Sequence, residues 1–390
     1  MRFLKILGSD FMHESRDERE LDVVQSLGFE VCVLGRKTKN NALFSLSVDK
    51  AVWKEVNPLA PLIKNTALNR LFCQIPWALA ARKMNADIIS CHDIAYLFIG
   101  WLSTLGMKKK PMLVYDSHEF ECERVDSRSS FLKLLIKHTE RFLIKRCALS
   151  IMVNDSIADA VCRLHHLKDR PLVVRNIPEN WCIDKSDLQL KRQEFLKENA
   201  LPDDTFICMY HGVLSEGRGI ENGIKALAKT EGTVLILLGK GSEEDKRKYR
   251  NIAKDCGVLN RLFFHNAVPH DELYKYVGMA NVGLVIIENV CLSYYLSLPN
   301  KLFENIQSLT PVIGSDFPEI KRITDVFGVG LTVQADSVDD ISAAILKMRN
   351  DTIFYERCKS NLASAKEKLC WENERVVLEN AYKKLMKHIV

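Results

Sequence analysis

The chain has 390 residues, 47% hydrophobic and 27% charged, the proportions of an ordinary globular protein with room for two cores. Its longest apolar runs are strand-length or broken by charge, and residues 1–7 lack the features of a signal peptide, so neither a membrane span nor a secretory leader is expected. The 12 cysteines lie singly, without CxxC or Cys/His spacing, which suits a reducing cytoplasm and excludes a disulfide or zinc framework; of the net charge of +5, residues 1–185 carry +6 and the rest −1.

Short apolar runs alternate with helical patterns from end to end. In the first half, strands are expected at 3–7, 31–34, 88–91, 112–115 and 149–153, with helices at 16–26, 68–84, 130–146 and 156–164. The pattern restarts after Arg175-Asn176-Ile177-Pro178. Strands then follow at 206–210, 234–238, 262–265, 282–287, 312–314 and 331–333, with helices at 220–229, 243–256, 271–278, 300–308 and 338–349. This alternation predicts an α/β fold of two doubly wound parallel sheets, one in residues 1–178 and one in 179–370. A last helix near 372–388, with no strand after it, is expected to cross back onto the first domain. Ligands of such sheets bind at the carboxyl ends of the strands, so a cleft there is the default site.

Two stretches of the second half suit an anion. Tyr210-His211-Gly212 runs into Gly217-Arg218-Gly219 and then a helix, a turn whose backbone can approach a phosphate while Arg218 supplies charge. A structural turn accounts for the same residues, and the spacing does not fit a dinucleotide fingerprint. In Pro299-Asn300-Lys301-Leu302-Phe303-Glu304, Pro299 suits the first helical position. Asn300, Lys301 and Glu304 then share one arc, and Leu302, Phe303 and Ile306 another. The plain alternative is an amphipathic helix with a Lys301/Glu304 surface pair.

In the first half, Tyr115-Asp116-Ser117-His118-Glu119 and Cys91-His92-Asp93 fall at expected strand ends. His118 is a cleft candidate or a loop cap; Asp93 is a second cleft candidate or a helix cap. His13 and Arg16, after the first strand, could face phosphate or acceptor, or belong with Ser15 and Asp17 to a helix start. Lys133, Lys137, Arg141 and Lys145 recur every four residues opposite Phe131, Leu135 and Phe142. That pattern fits either a solvated helix face or a helix resting on an anionic membrane. Nucleic acid is not expected, because basic and aromatic residues do not interleave.

In their order and intervals, these motifs, with Leu237-Leu238-Gly239-Lys240-Gly241 and Phe264-His265-Asn266-Ala267-Val268-Pro269, resemble family 4 of the glycosyltransferases. The resemblance implies the GT-B fold, two Rossmann-like domains facing a central cleft. It implies a retaining transfer of sugar from a UDP or GDP donor to a saccharide or lipid-linked acceptor, in polysaccharide assembly, in the cytoplasm or peripherally on the membrane. Glu304 corresponds to the family's ribose-binding glutamate and Arg218 to a diphosphate-binding cation. Gly212, Gly217, Gly219 and Asn300 would complete the phosphate site, Asn266 and Val268 the base site, and His118 would lie against the transferred sugar. Leu296 and Val213 stand where relatives carry a glutamate and a second cation, and Lys301 is the candidate replacement charge. Neither metal nor cofactor is implied. A GT-B sugar-nucleotide epimerase and a non-catalytic nucleotide-sugar-binding subunit remain the alternatives.

Overall fold

The structure, a computed structural model, describes residues 1–7, 15–36, 52–56, 74–124 and 130–389. The chain divides into two compact units, Met1–Asn176 with Glu374–Val390, and Ile177–Asn373.

In the first unit, β1 (Arg2–Ile6), α1 (Ser15–Ser26), β2 (Glu30–Arg36) and β3 (Val52–Val56) are followed by α2 (Gln74–Lys83) and β4 (Ile88–His92). Then come α3 (Asp93–Ser103), β5 (Met112–Ser117), α4 (Ser130–Ile144), β6 (Leu149–Met152), α5 (Asp155–His165) and β7 (Leu172–Val173). The strands form one sheet in the order β3-β2-β1-β4-β5-β6-β7, and every pairing is parallel. β4 is buried throughout and β5 nearly so, as expected of strands covered on both faces. The exception in composition is Lys5, a lysine in the middle of β1 and fully buried.

The second unit runs α6 (Lys185–Glu198), β8 (Phe206–His211), α7 (Ile220–Leu227), β9 (Thr233–Leu238), α8 (Glu243–Asp255) and β10 (Leu262–His265). It continues with α9 (Leu273–Gly278), β11 (Val282–Val285), α10 (Leu292–Tyr295), α11 (Asn300–Gln307) and β12 (Val312–Ser315). α12 (Pro318–Phe327), β13 (Gly330–Val333), α13 (Val338–Asn350) and α14 (Thr352–Lys368) complete it. The sheet order is β10-β9-β8-β11-β12-β13, again all parallel. β8 and β9 are buried throughout.

α15 (Trp371–Met386) has most of its residues in the first unit. Tyr382 is fully buried there, its ring 5.6 Å from that of Phe3, and its hydroxyl donates to Glu20. The order in which successive strands are added reverses between β1 and β4 in one sheet and between β8 and β11 in the other. Those reversals open crevices at the strands' carboxyl ends, and the charged residues gather there.

Candidate functional site

In the second unit, three backbone turns meet at the β8/β11 reversal. Gly212 follows β8 with φ +123°. A Cβ on Gly239, which follows β9, would sit 1.8 Å from the Gly212 carbonyl oxygen, so only glycine permits the approach. Gly217 and Gly219 flank Arg218, with φ of +75° and +67°, and Gly219 is the N-cap of α7. The Gly217 carbonyl accepts the Glu288 N–H at 3.0 Å, which fastens this loop to the chain leaving β11.

α11 starts at Asn300, as expected, but Pro299 is its N-cap and not its first helical residue, and the exposed Asn300 takes that position. Lys301 is no surface residue. It is 8% exposed, its Nζ lies 4.1 Å from the centroid of the Tyr210 ring, and it has no hydrogen-bond partner. Burial and then the Arg218 charge push its pKa down to about 7, with Glu304 acting in the other direction. The Arg218 guanidinium lies 5.1 Å from the Tyr294 ring, and its Nε is also buried without a partner. Two cations held this way, beside an exposed helix start, are chemically suited to an anion.

Glu304 does not form the expected surface pair with Lys301. Its Oε2 lies 2.9 Å from His211 Nε2. Burial works to raise the Glu304 pKa, but the His211 hydrogen bond and charge hold it below the usual carboxylate range. Asn266 is exposed just beyond β10, while Val268 packs against the core beneath β8 and β9. Val213 is 60% exposed, so the cation missing there has no buried apolar substitute.

The first unit holds a denser arrangement, built on Lys5. Its Nζ lies 2.5 Å from Glu20, 2.8 Å from Asp17 and 3.6 Å from Asp116. Burial alone would strip its proton, but these carboxylates raise its pKa well above that of an ordinary lysine. Two of them each hold a histidine. His92 Nδ1 lies 3.0 Å from Asp17, and His118 Nε2 lies 3.2 Å from Asp116. The two rings are 3.8 Å apart between centroids. Burial opposes a charge on His92, yet the Asp17 hydrogen bond and charge raise it to about 9.

Arg16, read from sequence as a phosphate- or acceptor-side residue, is instead a buried structural cation. It donates to Asp116 at 2.7 Å and to the Val174 carbonyl at 2.7 Å. His13 lies outside the described residues. Asp93 is the first residue of α3, not its cap, and has φ +61°, a costly conformation for an aspartate. Its carboxylate accepts the His118 backbone N–H at 3.3 Å. Glu121, 3% exposed, is pushed up to about 8 by burial and then by Asp93.

Asp17, His92 and His118 bring possible metal ligands within 4.8 Å, as do Asp17, Glu20 and Asp116. Lys5 and Arg16 already neutralise those carboxylates, which makes the cluster an ion-pair network rather than an open coordination site. Lys5, Glu20, His92, Asp116 and His211 have no individual role that their sequence context assigns. Lys5 carried a usable signal, since a lysine inside a buried parallel strand requires carboxylate partners.

Residues 22–176 match the family described as Glycosyltransferase Family 4, and residues 191–364 match Glycosyl transferases group 1. A curated relative, "Putative colanic acid biosynthesis glycosyl transferase WcaI" of Escherichia coli (strain K12), is 26% identical over 170 residues. That match covers 42% of this chain and 41% of the relative, so the chain matches about two fifths of its length. Among solved structures, sucrose-phosphate synthase from Thermosynechococcus elongatus has a TM-score of 0.77 at 16% identity, with both chains covered completely. Anabaena Alr3699/HepE, in complex with UDP and glucose, has a TM-score of 0.75 at 14% identity, covering 99% of this chain and 100% of its own. These two likenesses are in fold.

Proposed function

The chain belongs to family 4 of the glycosyltransferases, and from that premise we propose that it transfers a sugar from a nucleoside diphosphate to a saccharide or lipid-linked acceptor. One observation carries the reading: the buried, unpartnered Lys301 ammonium and the Arg218 guanidinium at the β8/β11 reversal. They leave a place for negative charge that no carboxylate among the described residues pairs with. The diphosphate would lie against Arg218, Lys301 and the backbone N–H groups near Gly219 and Asn300. Glu304, oriented by His211, would accept hydrogen bonds from the ribose hydroxyls. The Alr3699/HepE structure with UDP and glucose supports a sugar nucleotide, and UDP or GDP is the nucleotide proposed.

In the retaining reaction proposed, the bond between the anomeric carbon and the β-phosphate oxygen breaks as the acceptor hydroxyl attacks from the same face. The acceptor oxygen bonds to that carbon, and its proton passes to the departing phosphate. Negative charge growing on the phosphate meets cations already in place, so little reorganisation is needed. His118, whose Nε2 lies 3.2 Å from Asp116, is the residue proposed to contact the transferred sugar.

A thermal-shift screen against UDP, GDP, ADP and CMP and their sugar conjugates tests this. A nucleotide at 100 times its dissociation constant stabilises by about 2.7 kcal/mol. One nucleotide should stabilise the wild type and fail with Glu304→Ala. If none stabilises the wild type, the donor site assigned here is wrong.

A further inference from the structure

The first unit holds a second buried cluster, which shares no residue with the Lys5 network. Three elements meet in it: Cys122 from the short turn Glu121–Glu123 after β5, Glu140 from α4, and His165, the last residue of α5. Their exposures are 5%, 1% and 0%. Glu140 Oε2 lies 2.9 Å from Cys122 Sγ and 3.0 Å from His165 Nε2. The sulfur, oxygen and nitrogen all fall within 4.8 Å of one another. The other carboxylate oxygen, Oε1, accepts the Tyr115 hydroxyl at 2.7 Å.

Charge sets Glu140 apart. Asp17, Glu20, Asp116, Glu121, Glu319 and Glu374 are also buried, and each forms an ion pair with a lysine or an arginine. Among the described residues, Glu140 pairs with His165 alone. A carboxylate taken out of water needs an opposite charge close by. A divalent cation would supply it, replacing the protons that Cys122 and His165 direct at Oε2 and offsetting a thiolate as well.

The donor set decides which cation. Magnesium and calcium take oxygen ligands, whereas thiolate, imidazole and carboxylate together suit zinc. Around a tetrahedral zinc ion such ligand atoms stand roughly 3.3–3.6 Å apart, so the present contacts need open by only about half an ångström. Three protein ligands leave the fourth position to water. Tyr115, on the oxygen that does not face the sulfur, is the outer partner that orients the carboxylate.

We propose that Cys122, Glu140 and His165 bind one zinc ion, which ties α4 and α5 to the turn just beyond His118. The site is closed to substrate by its burial, and it does not depend on the transfer reaction. No local spacing records it, because Cys122 and Glu140 are 18 residues apart and Glu140 and His165 25.

The test strips the whole, untagged chain with a chelator and titrates it with Zn2+ and, separately, with Co2+. The wild type should bind one equivalent of zinc and melt at a higher temperature with it. Cobalt should give a thiolate-to-metal absorption band that Cys122→Ser lacks. Cys122→Ser and His165→Gln should each bind zinc more than about 100-fold more weakly, and Tyr115→Phe about 10- to 100-fold more weakly, as for an outer partner. His92→Gln, in the other histidine cluster, should bind as the wild type does. Circular dichroism and nucleotide affinity check that each variant is folded. The proposal is overturned if the wild type takes up no zinc, if its melting temperature ignores the ion, or if cobalt gives no thiolate band. Zinc binding that Cys122→Ser keeps, or that His92→Gln loses, overturns it too.

Discussion

Replacing Lys301 with methionine removes an ammonium that is 8% exposed and unpartnered while keeping most of the side chain's length. The fold should gain about 1–3 kcal/mol, and nucleoside diphosphate affinity should fall by tenfold or more. Equilibrium unfolding and calorimetric titration read the two effects separately. The pKa of about 7 in the fold, against 10.5 for an ordinary lysine, fixes the sign of the pH dependence. The charged form is disfavoured in the fold, so the cost is complete below pH 7 and fades as pH rises toward 10.5. The stability gap between Lys301→Met and wild type should therefore close over that interval. At about pH 8, diphosphate binding should take up a proton in the wild type and none in the variant. His92 behaves in the opposite sense. Its pKa is raised from 6.5 to about 9, so its contribution is complete below pH 6.5 and lost as pH rises through 9. The stability difference between wild type and His92→Gln in urea titrations should therefore shrink as pH rises from 6.5 through 9. At this scale the sequence showed which residues carry charge. It did not show which charges are buried, because Lys301 lies in a polar-looking helix turn and is covered only once Tyr210 packs over it.

Among the elements, loops at the strand-order reversals set the geometry, and their glycines are not equivalent. A Cβ on Gly219 would meet Ile286 Cγ2 at 2.3 Å, at φ +67°. On Gly28, at φ +86°, it would meet nothing within 4 Å. Gly28→Ala should cost about 1 kcal/mol, the left-handed strain alone. Gly219→Ala should cost about 2–4 kcal/mol and abolish the thermal shift with nucleotide, because the loop around Arg218 must move. Strands such as β8 and β9 were legible as apolar runs. α3 was not, since Asp-Ile-Ala-Tyr-Leu-Phe-Ile-Gly-Trp-Leu-Ser is apolar on most faces and shows little period. α6 was missed for the opposite reason: only Leu196 is fully buried in its 14 residues, too little for a stripe. β3 lies apart from any pattern the sequence reading recognised. The expected strand 282–287 ends at Val285, where the chain turns to make the Glu288 contact with Gly217.

At the level of the whole molecule, the first unit is made from both ends of the described chain. Tyr382 of α15 closes the bottom of the Lys5 network through Glu20. Tyr382→Ala should destabilise the protein by about 3–5 kcal/mol, with a clear drop in melting temperature. Nucleotide affinity should be unchanged, since Arg218, Lys301 and Glu304 lie within Ile177–Asn373. The α/β alternation, the parallel sheets and the Gly217–Gly219 and Pro299–Glu304 motifs can be read directly from the chain. These are encoded locally, in hydrophobic period and in turn chemistry, over spans of a few residues. That Lys5 binds three carboxylates, that Arg16 supports Asp116 and that Glu304 turns to His211 follows from the packing of distant segments. Those partners lie up to 111 residues apart for Lys5 and Asp116, 100 for Arg16 and Asp116 and 93 for His211 and Glu304. Over such separations a charge's fate depends on which strands become neighbours, and no local pattern in the chain records that.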